Sequence, residues 1–226
     1  MHTVAFVPIK LNNQRTPGKN TKRFDDGTPL ITLFLKTLVQ VQGFDEVYVF
    51  CSDESIKDYL IYGVEFLKRP EYLDTQDATP QDIIREFINA VDADIYAVCH
   101  CTSPFVSVEH FQECVDATKS EKFDSSFTAE KLQHLMWKDD NTPLNFDPTN
   151  VPRTQDLPVY YNEVSAAYVF KREVFEKYNR RIGVKPYITA VSGVECIDID
   201  YPDDFEIANA IYMTIIKERG KKDESC

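Results

Sequence analysis

The fold begins with residues 4–23, which read VAFVPIKLNNQRTPGKNTKR. The first six letters form an apolar run that predicts a buried strand over 4–9. The rest is polar, carries five cations within fourteen residues and contains Pro17-Gly18, a pair typical of turns. Ligands of open α/β sheets bind where loops leave the carboxyl ends of strands. We therefore predict that this strand leads into an anion-binding loop; a solvated basic loop is the alternative.

Beyond this stretch, short apolar runs alternate with segments of helical period. The predicted strands are 46–51, 64–67, 94–99, 123–129, 165–171 and 194–199, and the predicted helices are 30–41, 53–62, 80–91, 108–119, 172–178 and 202–217. This order predicts right-handed crossovers and a three-layer α/β/α fold, in which helices cover both faces of a mainly parallel twisted sheet. We expect one domain over 1–226.

Two segments depart from the alternation. Residues 130–160 are polar and contain four prolines, which predicts an inserted dimerisation arm or lid. Residues 218–226 are polar and terminal, which predicts a flexible tail.

Composition excludes several classes of function. The net charge is −12, with 37 acidic against 25 basic residues, which argues against nucleic-acid binding. The six cysteines contain no C-x-x-C pair and no zinc spacing, which predicts reduced thiols in a cytoplasmic protein. No signal peptide precedes the first strand, and no apolar window is long enough to span a membrane. We therefore expect a soluble protein without membrane or nucleic-acid partners.

Glycine content decides how phosphate groups would be held. The chain has only seven glycines and no G-x-G, so it lacks the dinucleotide fingerprint and the Walker loop. Side chains of the basic loop would then hold the phosphates. The candidates for this role are Lys10, Asn13, Arg15, Lys19 and Asn20.

An Asp-x-Asp motif lies near the other end of the chain, at Asp198 and Asp200 within IDIDYP. Residues i and i+2 of a strand point the same way, so the predicted strand places both carboxylates on one side. Mg²⁺ takes one or two carboxylates together with phosphate oxygens, and this pair predicts such a site. The alternative is that one aspartate caps the following helix and the other is solvated.

Two further segments carry polar groups suited to a second substrate. Ser103 follows the strand 94–99, where a pocket or a simple turn would use it, and His100 beside it is either a ligand contact or a packed histidine. Arg153 and Gln155 leave the polar arm and suit a carboxylate or hydroxyl groups of a sugar, or else lie in a surface loop.

Together these residues resemble one family. The pattern comprises Pro8 with Pro17, Lys19 and Asn20; RPEYL at 69–73 followed by Asp77; TSP at 102–104; QDLP at 155–158; and IDIDYPDDF at 197–205. It is similar to that of the acylneuraminate cytidylyltransferases, or CMP-sialic acid synthetases, and of the related 3-deoxy-manno-octulosonate cytidylyltransferases. The resemblance covers nearly the whole chain.

The resemblance implies that CTP reacts with the anomeric hydroxyl of a 2-keto sugar acid and that pyrophosphate is released. It implies a homodimer in which the arm reaches the partner's site, and a place in cell-surface polysaccharide biosynthesis. Arg15 and Lys19 would bind the triphosphate and act in catalysis, and Asp198 and Asp200 would carry Mg²⁺. The further nucleotide contacts would be Lys10, Asn13, Asn20, Arg69 and Asp77, and the acceptor contacts His100, Ser103, Arg153, Gln155 and Tyr168.

Departures from the family pattern fall mostly on the acceptor side. Lys10 replaces an arginine, His100 replaces a glutamine and Val106 replaces an arginine. Tyr168 ends VSAAY where the family has NGAIY. Two other functions stay open at this point: a nucleotide-sugar-dependent glycosyltransferase, which also uses carboxylate-bound metal, and a nucleotide-binding homologue without catalysis.

Overall fold

The computed structural model describes residues 1–13 and 15–218. Its strands are β1 Thr3–Ile9, β2 Glu46–Cys51, β3 Glu65–Lys68, β4 Ile95–Cys99, β5 Ser125–Leu132, β6 Tyr160–Lys171 and β7 Pro186–Val191. They form a seven-stranded sheet in the order β3-β2-β1-β4-β6-β5-β7. β6 is antiparallel to β4 and β5, whereas the other pairings are parallel. The predicted mainly parallel sheet is confirmed.

Four of the helices that the structure describes lie in connections between strands, and the fifth follows β7. They are α1 Leu30–Leu38, α2 Pro80–Ala90, α3 Val108–Lys119, α4 Arg172–Tyr178 and α5 Pro202–Ile211, which continues as a π-helical turn over Tyr212–Ile216. α2 begins with a proline at its first turn and a reciprocal capping box between Thr79 and Asp82, which satisfies backbone donors that a helix start leaves unpaired. No helix within the described residues is long and apolar enough to cross a membrane.

Alternation along β1 separates the two faces of the sheet. Ala5 and Val7 pack with residues of α1 and α3 on one face, while Val4 and Phe6 pack with residues of α2 and α4 on the other. The ring of Phe6 stacks on that of Phe87 from α2 at 3.9 Å between centroids. Helices on both faces make the fold three-layered, as predicted.

The predicted strand 194–199 is wrong. The chain there forms a 3-10 turn over Gly193–Cys196 and then an irregular segment. The last strand of the sheet is instead β7, which begins with Pro186 and pairs only with β5. Proline is tolerated at the first residue of an edge strand, and most of β7 is only partly buried, so its pattern lacks the apolar run of a central strand.

Residues 133–159 connect β5 to β6 and include the bulk of the predicted arm. Both ends of that prediction, at 130–132 and 160, belong to the paired strands. Between them the chain makes isolated bridges and a 3-10 turn over Thr154–Asp156. Several apolar side chains here are exposed: Leu135, Trp137, Leu144, Val151 and Val159. The predicted tail lies outside the described residues, apart from Glu218.

Removing the Phe87 side chain should destabilise the fold. The residue is fully buried and contacts rings from β1, β2 and β4. We expect Phe87→Ala to lower the free energy of unfolding by about 3–5 kcal/mol, because lost burial and a residual cavity add. Urea denaturation measures the change. Tyr62→Ala, at a fully exposed ring, should stay within about 0.5 kcal/mol of the parent chain; equal losses in both would contradict the packing described.

Candidate functional site

The basic loop after β1 is shaped by a tight turn. The Lys19 amide donates to the Thr16 carbonyl at 3.2 Å, and Gly18 at the third position has φ of 68°. Proline at the second position and glycine in this left-handed region are the residues that a type II turn requires. The turn leads directly into a 3-10 helix over Lys19–Thr21, so that the Lys19 side chain points back into the protein, where it is almost buried.

Lys19 joins the basic loop to the Asp-x-Asp segment. Its Nζ donates to the Ile199 carbonyl at 2.7 Å and to Asp200 Oδ1 at 3.0 Å. Arg15 Nη1 lies 3.3 Å from Asp200 Oδ2, and the Thr16 hydroxyl donates to the Asp200 carbonyl at 2.9 Å. Two cations of the chain therefore balance the Asp200 carboxylate in this structure.

Asp198 has a different environment. Its carboxylate is exposed, and its one contact among the described residues is the Ser103 hydroxyl, which donates to Oδ1 at 3.5 Å. Ile199 is fully buried and Ile197 packs against the same apolar cluster. The aspartates thus alternate with inward-facing isoleucines as predicted, although the segment is not a strand.

The cap of α5 is neither Asp198 nor Asp200. Asp204 accepts from the amides of Asp200 at 2.9 Å and Tyr201 at 2.7 Å. The capping role considered for the Asp-x-Asp pair is therefore filled by Asp204. Within the described part of the chain, no group of three or more His, Cys, Asp or Glu residues is placed to hold a metal.

A cleft of about 290 Å³ opens where β1 and β4 end. The chain runs from β1 to one side of the sheet and from β4 to the other, so the cleft lies at the reversal of strand order where such sheets bind ligands. It is lined by Pro8, Lys10, Asn13, Lys19, Asn20, Arg69, Leu73, Thr75, Ala78, Ile83, His100, Cys101 and Thr102. An adjoining cavity of about 240 Å³ shares Lys10, Asn13 and Lys19 and adds Arg15, Thr16 and Gln76.

Asn20 braces the floor of the cleft. Its amide group donates to the Lys10 carbonyl at 3.0 Å and to Asn13 Oδ1 at 3.4 Å, and its oxygen lies 3.4 Å from the Cys101 thiol. Burial raises the pKa of Cys101 to about 12, so this thiol is protonated at neutral pH and is no nucleophile. The five cysteines in the described residues are free thiols, and Cys226 lies outside that range.

Arg69 is a buried cation in the cleft wall, with 2% of its surface exposed. Its guanidinium pairs with Asp74, whose other oxygen accepts from the Ser52 hydroxyl. Nε of Arg69 has no hydrogen-bond partner among the described residues. Asp77, predicted to accompany Arg69, is exposed and does not line the cleft. Sequence reasoning missed Asp74. Its only sequence signal is its closeness to Arg69 along the chain, which other acidic residues share.

His100 connects the cleft to Tyr168. Its Nδ1 donates to the Ser165 carbonyl at 2.7 Å, because a carbonyl can only accept. Burial lowers the pKa of His100, so the ring is neutral and Nε2 carries the lone pair at neutral pH. The rings of His100 and Tyr168 meet edge to face at 6.1 Å. Tyr168 itself is 1% exposed and lies behind the cleft wall.

Arg153 and Gln155 lie apart from this cleft within one chain. Both are exposed on the arm, and Arg153 forms two hydrogen bonds with Asp156 at 2.8 and 3.2 Å. The structure therefore brings together His100 and the predicted nucleotide residues other than Asp77, and sets Ser103 beside Asp198. It leaves the arm residues on the surface.

Comparison with known proteins agrees with this geometry. The profile of the family described as "Cytidylyltransferase" matches residues 4–222. The chain belongs to the cytidylyltransferase family. N-acylneuraminate cytidylyltransferase A of Danio rerio is 27% identical over 216 residues, covering 92% of this chain and 50% of the relative. N-acylneuraminate cytidylyltransferase of Escherichia coli O18:K1:H7 is 24% identical, covering 97% and 54%. The chain thus spans about half the length of these curated relatives.

Solved structures show the same cytidylyltransferase fold. A CMP:2-keto-3-deoxy-manno-octonic acid synthetase complexed with CTP superposes with a TM-score of 0.71 at 18% identity, covering 94% of this chain and 99% of the other. The 4-diphosphocytidyl-2C-methyl-D-erythritol synthase of Anaerococcus prevotii reaches 0.63 at 17% identity, covering 94% and 98%. The resemblance inferred from the motifs is confirmed at the level of family and fold.

Breaking the Arg69–Asp74 pair should cost stability. Asp74→Asn removes the charge that balances a buried guanidinium, and an unsatisfied buried group costs about 1–3 kcal/mol. We expect a loss of that size in urea-induced unfolding. Glu71→Gln is the matched control, since Glu71 is exposed nearby and makes no hydrogen bond within the described residues. If Asp74→Asn is as stable as Glu71→Gln, the pair contributes nothing.

Proposed function

We propose that this protein is a cytidylyltransferase that transfers CMP from CTP to a small acidic sugar and releases pyrophosphate. The observation that carries the proposal is the convergence of Arg15 and Lys19 on Asp200 at the rim of the cleft between β1 and β4. Membership of the cytidylyltransferase family supports it.

The cations divide into two groups that suit the two ends of CTP. Lys10, Arg15 and Lys19 line the adjoining cavity of about 240 Å³, where their charges suit the triphosphate. Arg69 lies in the cleft wall with a buried, unpartnered Nε. A bound ligand with an acceptor atom would relieve the cost of that unsatisfied donor. We assign Arg69, with Asn20, to the nucleoside end.

The reaction follows from this placement. The acceptor hydroxyl oxygen forms a bond to the α-phosphorus while the bond from that phosphorus to the bridging oxygen breaks, and pyrophosphate leaves. The positive charges of Lys19 and Arg15 stabilise the negative charge that develops on the departing pyrophosphate. Such preorganised charge accounts for much of enzymatic rate enhancement. His100 lines the cleft with its Nε2 lone pair available, and we assign it the hydrogen bond from the acceptor hydroxyl and the proton that is lost.

Asp198 and Asp200 are the residues that would hold Mg²⁺. The exposed Asp198 carboxylate and the rim position of Asp200 fit an ion that takes one or two carboxylates and completes its shell with phosphate oxygens and water. The bound ion would neutralise part of the negative charge on the phosphates. Lys19 and Arg15 would then be shared between Asp200 and the phosphates.

An acidic sugar as acceptor is supported by the names of the relatives, which act on N-acylneuraminate. The arm supports a dimer, because its exposed Trp137 and Leu144 are apolar surface that a second subunit would cover. Arg153 and Gln155 on the same arm would then approach the acceptor end of a neighbouring site.

Pyrophosphate release tests the reaction. The chain should release pyrophosphate from CTP, in preference to ATP, GTP or UTP, when N-acetylneuraminate or 3-deoxy-manno-octulosonate is present with Mg²⁺. Asp198→Asn and Asp200→Asn should each lower turnover by at least about 100-fold, the scale of losing one strong electrostatic contact.

Asp203→Asn is the control, because Asp203 is exposed in the first turn of α5 and should leave turnover unchanged. Binding of CTP without pyrophosphate release from any acid would identify a nucleotide-binding homologue. Release of free nucleoside diphosphate from a nucleotide sugar would identify a glycosyltransferase.

The arm is tested by mass and by kinetics together. We expect light scattering to give twice the chain mass, since symmetric dimers are the commonest oligomers. Arg153→Ala should raise the acceptor KM several-fold and leave the KM for CTP unchanged, because a contact made equally in ground and transition states is uniform binding. Lys138→Ala, also on the arm, should change neither. A monomer, or an Arg153→Ala enzyme with the parent's acceptor KM, would remove the arm from the site.

A further inference from the structure

A second cavity lies beside the α2 N-terminus. Its volume is about 280 Å³, and its lining is Pro80, Gln81, Ile84, Glu163, Arg180, Arg181 and Ile182. The residues just before and within the same turns of α2, Ala78 and Ile83, line the cleft. The start of α2 thus contributes side chains to both cavities. The volume is below the range of about 300–1,000 Å³ typical of small-molecule pockets, so it suits one part of a sugar.

Stacking holds Arg181 in this cavity, and its N–H donors have no hydrogen-bond partner among the described residues. Its guanidinium carbon lies 3.4 Å above the ring centroid of Tyr168, which is buried and therefore fixed. The Tyr168 hydroxyl donates to Glu163 Oε2 at 2.8 Å, whereas Arg181 Nη2 is 4.0 Å from the same oxygen. That separation exceeds a hydrogen bond, and Arg181 makes no hydrogen bond with the described residues. The guanidinium is oriented by stacking and keeps its planar fork.

The cavity is connected to the cleft through two rings. Tyr168, beneath Arg181, meets His100 edge to face, and His100 lines the cleft beside Lys19. Burial lowers the pKa of His100, and the charges of Arg181 and Lys19 lower it further. A molecule whose hydroxyl reaches His100 would have Arg181 within the span of its other substituents.

We propose that this cavity binds the carboxylate of the acceptor, with the Arg181 guanidinium as its bidentate partner. The inference deepens the proposed function and rests on it. The charged residues in the lining are Arg180, Arg181 and Glu163, a net charge of one positive unit that matches a monoanion. A phosphate dianion would meet repulsion from Glu163 that a carboxylate meets less strongly. Arg180 donates to the Gly183 carbonyl at 3.1 Å and holds the loop that carries Arg181.

Direct binding tests the assignment without requiring turnover. Calorimetric titration with N-acetylneuraminate and with 3-deoxy-manno-octulosonate, each beside its C1 methyl ester, separates the carboxylate from the rest of the sugar. Arg181→Gln should weaken binding of the preferred acid about 10–100-fold, the range for a hydrogen-bonded charge pair. Arg181→Lys should recover only part of the loss, because the ammonium lacks the planar fork. Binding of CTP should be unchanged.

The ester distinguishes recognition from structural damage. If Arg181 contacts the carboxylate, the ester should bind Arg181→Gln and the parent chain equally weakly. Arg172→Gln, in the same connection between β6 and β7 but lining neither cavity, should bind acid and ester like the parent. Equal weakening of acid and ester in Arg181→Gln, or acid binding that is unchanged, would overturn the assignment.

The two proposals fail in different ways. A chain that binds CTP but neither acid would overturn the carboxylate cavity and leave the nucleotide site standing. A chain that binds an acid through Arg181 but not CTP would overturn the cytidylyltransferase reaction and leave the cavity standing.

Discussion

The site depends on the buried ammonium of Lys19, which donates to the Ile199 carbonyl and to the Asp200 carboxylate. These contacts join parts of the chain about 180 residues apart. The segment 197–200 has no strand to hold it, so its position depends on this ammonium, on the Ile199 amide that donates to the Thr102 carbonyl at 2.8 Å, and on burial of the Ile199 side chain. The loops after β1 and β4 and the start of α5 thereby become one surface.

That contact also sets the electrostatics of the site in an acidic protein. Arg15 and Lys19 would repel each other at this rim without Asp200 between them. A polyphosphate arriving there brings negative charge toward the same carboxylate, so the two cations must be shared. Sharing leaves negative charge uncompensated near Asp198 and Asp200, and a divalent cation is the simplest compensation. The pairing of both cations with Asp200 and the metal-bearing arrangement proposed are consistent with each other.

Much of the fold follows from local pattern, because the central strands are buried on both faces and their apolar runs are unambiguous. β7 is not predicted from the sequence because an edge strand needs less apolar surface. The Asp-x-Asp segment has the sequence pattern of a strand because its isoleucines alternate inward, although this described segment pairs with no strand. The basic loop was predicted from its place after β1. The roles of Asp74 and Arg181 are not predicted from the sequence. They arise from the buried partner Arg69 and the supporting ring of Tyr168, which lie elsewhere in the chain.

The start of α2 decides how the two cavities relate. Its capping box and the stack of Phe87 on Phe6 fix the helix against the sheet. Residues of its first turns line both the cleft and the Arg181 cavity, so a rigid helix rather than a loop would contribute to the proposed nucleotide and acceptor sites. The nucleotide side keeps the family pattern at Lys19, Asn20 and Arg69, with Lys10 in place of an arginine. His100 departs from the pattern in the cleft, where its ring meets Tyr168. Under the two proposals, acceptor choice would change through residues such as Arg181 without disturbing the contacts assigned to the triphosphate.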